Sequence, residues 1–145
     1  MTKIITGPKD VLITWLRHRT GYRPASDMRC LGIVRDGVIG AVIGYDNFNG
    51  SAIEMHVASD GSRQWMTKSL LRAAFHYPFN VCDAKVILGM VPSRNFEAVK
   101  MSLKLGFLNV ASIKDGHPDG NLYLMAMWRE NCRYLRGPDT PKLPD

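Results

Sequence analysis

Apolar positions along the chain change period several times, and glycine and proline mark most of the changes. Between Lys9 and Thr20, the residues Val11, Leu12, Trp15 and Leu16 recur at helical spacing. Gly21 with Pro24 closes that run, which predicts an amphipathic helix. From Cys30 to Tyr45 the chain is rich in isoleucine and valine and is split by Asp36-Gly37, the signal for a tight turn between two antiparallel strands. Asn47-Phe48-Asn49-Gly50 makes another turn. After it, Ser51 to Ala58 alternates as a third strand does, with Ile53, Met55 and Val57 on one face and Ala52, Glu54 and His56 on the other.

Asp60-Gly61-Ser62 is expected to open a helix whose apolar positions Met66, Leu70, Ala73, Ala74 and Tyr77 recur at three and four, until Pro78 stops it. Lys85 to Val91 reads as a short strand ended by Pro92, and Asn95 as the start of another helix that turns Phe96, Val99 and Leu103 inward and ends at Gly106. Phe107 to Ile113 and Leu122 to Met127 read as two more strands around the polar turn His117-Pro118-Asp119-Gly120. Residues 136–145 read as a flexible tail. A crossover as long as that between Ser51 and Val91 makes its two strands parallel, while the hairpins are antiparallel. The pattern therefore predicts an α/β (mixed α+β) domain over residues 1–135, a central mixed sheet flanked by helices. Ligands of such sheets favour the carboxyl ends of parallel strands beside helix N-termini, which points at residues 58–67.

A chain of 145 residues, 46% hydrophobic and 22% charged, fits one folded domain and not a disordered segment. Cys30, Cys82 and Cys132 form no C-x-x-C pair that would grip zinc, and their odd number fits a reduced, cytoplasmic protein. No apolar run reaches the roughly 18 residues that span a bilayer, and the start from Met1 to Pro8 is too short and polar for a signal peptide. The net charge of +6 favours an anionic partner. No basic run with interleaved aromatics supports a nucleic-acid binder.

The segment Asn95-Phe96-Glu97-Ala98 followed by seven residues and Gly106-Phe107 resembles the helix-to-strand signature of the GNAT N-acetyltransferase superfamily. Ser51 to Ala74 is similar to the same superfamily's strand, phosphate-binding turn and following helix, with Ser69-Leu70-Leu71 where a small residue and two leucines are usual. The order of elements agrees over about residues 9–135. More narrowly, Arg63-x-Trp65-x-Thr67, Tyr77-Pro78-Phe79-Asn80 and the block from Arg129 to Leu135 resemble a subgroup of small GNAT proteins of bacteria and tailed phages. The resemblance implies an acyl-CoA N-acyltransferase fold, acetyl-CoA as cosubstrate, and an amine acceptor, either a small molecule or a protein N-terminus or lysine. It allows a homodimer as the assembly, and a phage-encoded member would work in the host cytoplasm.

It also implies site residues. The backbone at Val57 and Ala58 would bind the pantetheine arm as an added strand, and one amide there would polarise the thioester carbonyl. Gly61, Ser62, Arg63, Gln64, Trp65, Met66 and Thr67 would hold the pyrophosphate, with Arg63 adding a charge-assisted contact. The usual glycine-rich turn is reduced here to Gly61 alone. Asn95 is first a helix cap, and the resemblance adds contact with the cofactor arm. Where many members carry a tyrosine that protonates the leaving thiolate, this chain has Ser102, a weaker acid.

Acetyl transfer needs a neutral amine, a polarised carbonyl and a stabilised thiolate. Glu54 and His56 share a strand face from which either can accept the amine proton, and the resemblance favours Glu54. The same face also reads as merely solvated, or packed with His56 hydrogen-bonded. Trp15, Trp65 and Trp128 read as core before acceptor pocket. Two functional expectations follow: an acetyl-CoA-dependent N-acetyltransferase, or a GNAT-like protein-binding module, phage-associated under the narrower resemblance, that has lost its chemistry.

Overall fold

Asp36-Gly37 does turn the chain, between β2 (Arg29–Arg35) and β3 (Val38–Asp46), in the computed structural model, which describes residues 1–62 and 64–135. Both turn residues have positive φ, +51° at Asp36 and +80° at Gly37, the geometry that a two-residue hairpin connection asks for. The other strands are β1 (Thr2–Ile5), β4 (Ala52–Ser59), β5 (Val86–Pro92), β6 (Leu108–His117) and β7 (Gly120–Trp128). Together they form one sheet in the order β1-β2-β3-β4-β5-β7-β6, antiparallel throughout except for the parallel pair β4 and β5. The expected mixed sheet is therefore present. The last hairpin is longer than the sequence suggests, because both strands extend to the edges of the turn at residues 118 and 119.

Helix α1 (Lys9–Thr20) covers one face of the sheet. Leu12 and Leu16 are fully buried there against Met28, Cys30, Val42 and Ala58. Val11 faces outward and Trp15 lies at the rim with the Arg19 guanidinium 4.2 Å above its ring. Helices α2 (Lys68–His76) and α3 (Phe96–Leu105) cover the other face, over a larger core that includes Leu31, Tyr45, Ile53, Phe75, Phe79 and Ile87. Trp65 is buried in that core, whereas Trp128 is exposed.

Four expectations are corrected. Helix α2 begins at Lys68 instead of Ser62, because the Thr67 side chain accepts the Leu70 N–H at 3.2 Å and so caps the helix there. Pro78 does not end it. The chain runs on through one wider turn, Tyr77–Val81, closed by the Cys82 N–H on the Tyr77 carbonyl at 3.0 Å. That turn is tied to the end of β7 by Arg129, which donates to Asn80, Asp83 and the Phe79 carbonyl. On α3, Phe96 and Leu103 point to solvent, and the face turned inward carries Ala98, Val99, Met101 and Leu105. Strand β1, unexpected from the sequence, pairs with β2 from Thr2 opposite Arg35 to Ile5 opposite Gly32. The tail expected over residues 136–145 lies outside the described residues. No helix among the described residues is long and apolar enough to cross a membrane.

Candidate active site

Strands β4 and β5 pair over three rungs only, Ala52 with Val86, Ile53 with Ile87 and Glu54 with Leu88. Both strands then continue, to Ser59 and to Pro92, without pairing further. A wedge opens between them with Glu54 at its apex. The Ser51 carbonyl accepts the Lys85 N–H at 2.7 Å, so odd-numbered residues of β4 turn their backbone groups toward β5. Val57 thus presents its N–H and C=O to the side that β5 has left, and the Ser59 carbonyl there accepts from Arg19 at 3.3 Å. Ala58 is different. It pairs with Val42 of β3, and its side chain is buried under α1, so only Val57 of the two reaches the wedge.

Even-numbered residues of β4 send their side chains to the α1 face, and there Glu54 and His56 come together with residues from two other segments. Asp46 lies directly across from Glu54 in the β3–β4 register and is 1% exposed. Its Oδ1 is 2.7 Å from His56 Nε2, and its Oδ2 accepts from the Tyr22 hydroxyl at 2.7 Å and the Ala25 N–H at 3.0 Å. The Tyr22 ring stacks on the His56 imidazole, with centroids 3.8 Å apart. Burial first, and then the hydrogen bond to Asp46, pushes the Tyr22 hydroxyl well above its ordinary pKa, so it stays a donor. Asn47 Nδ2 donates to Glu54 Oε2 at 2.5 Å and reaches the Tyr22 hydroxyl at 3.3 Å. Glu54 Oε1 is buried and has no hydrogen-bond partner among the described residues. Such an orphaned acceptor is costly unless a further donor arrives.

The loop between α1 and β2 is fixed over this cluster from a second point. The Asp27 carboxylate accepts the Asn47 and Phe48 N–H groups at 3.0 and 3.2 Å, and these bonds, led by the first, hold its pKa below the usual range. Tyr22, Asp46 and Asn47 were not candidates in the sequence. The signal that finds Asp46 is the register that sets Gly44 opposite His56 and Asp46 opposite Glu54, whereas Tyr22 and Asn47 come from loops that no register marks.

The turn before α2 is less open than a helix starting at Ser62 would be. The Gly61 N–H donates to Ser59 Oγ at 3.2 Å, that of Ser62 to Asp60 Oδ1 at 2.9 Å, and that of Thr67 to the Trp65 carbonyl at 2.9 Å. The Ser62 N–H leads the bonds that lower the Asp60 pKa, so a carboxylate sits in this turn. The Gln64 side chain accepts from Arg35 and Met66 is half-buried. Arg63 lies outside the described residues. The first-turn N–H groups of Lys68 and Ser69 have no partner among the described residues, and these are the donors that the displaced helix start offers.

On α3, Asn95 Oδ1 accepts the Ala98 N–H at 3.2 Å, the expected cap. The Ser102 hydroxyl donates to the Ala98 carbonyl at 2.8 Å, which commits its proton within the helix.

No protein-family model and no curated protein matches the chain. Solved structures do. A dodecameric structure of spermidine N-acetyltransferase SpeG from Vibrio cholerae superposes with a TM-score of 0.74 at 11% identity, covering 92% of this chain and 96% of that one. A substituted form from the same organism, described as spermidine/spermine N-acetyltransferase, gives 0.72 at 12% identity over 93% and 98% of the two chains. A singly substituted form gives 0.71 at 12% identity over 92% and 96%. These neighbours lend no support to a narrower bacterial and phage subgroup. The likeness is one of architecture: the chain has the mixed seven-stranded sheet flanked by helices of the GNAT acetyltransferase fold.

Proposed function

We propose that the chain is an acetyl-CoA-dependent N-acetyltransferase that passes an acetyl group to an amine by direct attack on the thioester. The observation that carries this reading is the β4–β5 wedge with Glu54 at its apex, one carboxylate oxygen buried and unpartnered. In that wedge the backbone of Val57 would pair with the pantetheine arm and turn an N–H toward the thioester carbonyl, where charge develops. Glu54 Oε1 would accept a proton from the attacking amine. The acceptor side suits a cation. Asp46 and Glu54 are two carboxylates directly opposite each other; donors already meet Asp46 and Glu54 Oε2, and Glu54 Oε1 is the acceptor left for an incoming ammonium. Spermidine, named for the neighbouring structures, is an amine of this kind.

The pyrophosphate would sit at the start of α2. The Lys68 and Ser69 amides suit it, while Gly61, Ser62 and Thr67 offer amides already engaged, and Arg63 adds its charge in this proposal. Asn95 would add its side-chain Nδ2 to the cofactor arm. Those engaged amides, with the Ser102 proton committed to Ala98, favour the second reading, a GNAT-like module that binds protein without turnover. Calorimetry with acetyl-CoA separates the two. Micromolar binding is expected, and an absence of heat at millimolar acetyl-CoA overturns the enzyme reading in favour of the module.

Self-association belongs to the same proposal. One neighbour is dodecameric, and β6, the outer strand, is exposed along nearly its whole length, with Leu108, Val110 and Ile113 among its exposed side chains. Val110→Lys is expected to abolish association in sedimentation velocity runs. The three free cysteines fit a cytoplasmic site of action.

A further inference from the structure

The proton step proposed above uses Glu54 alone, although beside it lie a fully buried carboxylate, an imidazole bonded to it, and a phenol that touches both. We infer that His56 is a second proton acceptor beside Glu54, with Asp46 as the positioning residue that holds it ready and Tyr22 as its clamp. This inference rests on the acetyltransferase reading.

Asp46 decides where the hydrogens lie. A carboxylate can only accept, and Asp46 receives the Tyr22 hydroxyl, the Ala25 N–H and His56 Nε2, the set of donors that an ionised group needs when shut away from water. His56 Nε2 therefore carries the hydrogen. The neutral ring then keeps its lone pair on Nδ1, which has no hydrogen-bond partner among the described residues. Tyr22, stacked at 3.8 Å with planes 22° apart, fixes the ring plane. The ring is thus fixed in tautomer and in orientation, as general bases in hydrolases are by a buried aspartate.

The proton balance of the reaction gives such a group work. An alkylammonium must lose one proton to expose its lone pair, and the nitrogen loses a second once the C–N bond has formed. The C–S bond breaks with its electron pair on sulfur, sulfur takes up one proton, and one proton is released overall. One of the nitrogen's two protons can pass to sulfur, so a single acceptor balances the step, and a second group beside Glu54 gives the other proton a further place to go. Glu54 and His56 lie two residues apart on one strand face, roughly 7 Å along the strand, close enough for one nitrogen to reach each directly or through a water. The titratable groups around the pair are Tyr22 from the α1–β2 loop, Cys30 of β2, Asp46 of β3 and Glu54, with Lys9 of α1 acting on Cys30. Tyr22 and Cys30 are both pushed upward and stay neutral, so neither competes with Glu54 and His56 for the proton.

Two measurements test this. The 15N shifts of the His56 ring in the intact protein should show Nε2–H and a bare Nδ1 when the ring is neutral, and Asp46→Asn should release that preference. The acid limb of kcat/KM against pH should be steeper in the wild type than in His56→Gln by one proton, with at least a tenfold loss at neutral pH. Asp46→Asn should follow His56→Gln, and Tyr22→Phe, which keeps the ring and loses the hydroxyl, should lie between. A merely structural role would lower the curve without changing its steepness. If Asp46→Asn fails to fold, the wild-type tautomer and the other two variants still decide. A wild-type Nδ1–H tautomer, or an unchanged limb in His56→Gln, overturns the inference while leaving the acetyltransferase reading intact. A wild type that acetylates no amine overturns both.

Discussion

The hydroxyl of Tyr45 donates to the Ala74 carbonyl at 2.5 Å, across the packing of β3 on α2. That carbonyl is the one a proline at position 78 leaves without its helical donor, because Pro78 has no N–H to return four residues back. Tyr45 is 1% exposed, and burial pushes its pKa upward, so its proton is always available to Ala74. The helix can therefore pass through Pro78 into the wider turn that follows. Tyr45→Phe should cost about 1–3 kcal/mol, the penalty of an unsatisfied buried carbonyl. Urea denaturation measures it. In a Pro78→Ala background the N–H of residue 78 can serve Ala74, so the same substitution should cost less, and strict additivity would show that the two groups do not share this carbonyl.

Glu54→Gln keeps the size and the Asn47 contact of the side chain but removes its capacity to take a proton. Acetylation of any accepted amine should fall at least tenfold, a modest loss for a general base. Thiol release from acetyl-CoA follows it directly. Because Glu54→Gln also replaces one of two carboxylates that face each other, the variant should be no less stable than the wild type. A lost rate with retained stability is the signature of a reacting group, and an unchanged rate removes Glu54 from the mechanism.

Much of the fold was readable because local chemistry and tertiary position agree. Asp36-Gly37, Asn95 and Gly106 stand where a turn, a cap and a left-handed helix end demand those residue types. Pro78 misled because its missing donor is replaced from 33 residues earlier in the chain, a compensation that no local pattern carries. Strand β1 escaped notice for a different reason. Ile4 packs into the larger core and Ile5 into the smaller one, so the strand shows adjacent apolar residues in place of alternation. At the site, Glu54 and His56 were readable from their spacing on β4. Asp46 reaches His56 through the β3–β4 register, and Tyr22, 24 residues before Asp46, reaches both through a loop that no local pattern places.

Cys30 gives the protein an alkaline limit. Burial lifts its thiol from 9.0 to about 11, so the folded state holds a proton that the unfolded chain releases first. A group raised in this sense contributes stability that is complete below the unfolded value and is lost as pH rises through the folded one. Urea midpoints should accordingly fall between pH 9 and about 11. Tyr77, pushed up to about 12 by burial first, extends the decline in the same direction. In Cys30→Ala the midpoint at neutral pH should be lower but its fall across this window shallower. An equal slope in the two proteins would assign the limit to the tyrosines.

Asn95 allows capping to be separated from cofactor contact within one side chain. Its Oδ1 is taken by the Ala98 N–H, so only Nδ2 is free to donate outward. Asn95→Ala removes both and should cost about 1 kcal/mol of stability, the usual worth of a cap. Asn95→Asp keeps the acceptor, and adds a negative charge where the positive end of the α3 dipole welcomes it, so thermal stability should hold or rise slightly. The same change deletes the one donor this side chain can offer the cofactor arm. Affinity for acetyl-CoA should then drop by a factor of about 3–10, as for one hydrogen bond of roughly 0.5–1.5 kcal/mol. Thermal melts paired with calorimetry on the two variants read the two roles apart. If Asn95→Asp binds acetyl-CoA as the wild type does, the residue is a cap and nothing more.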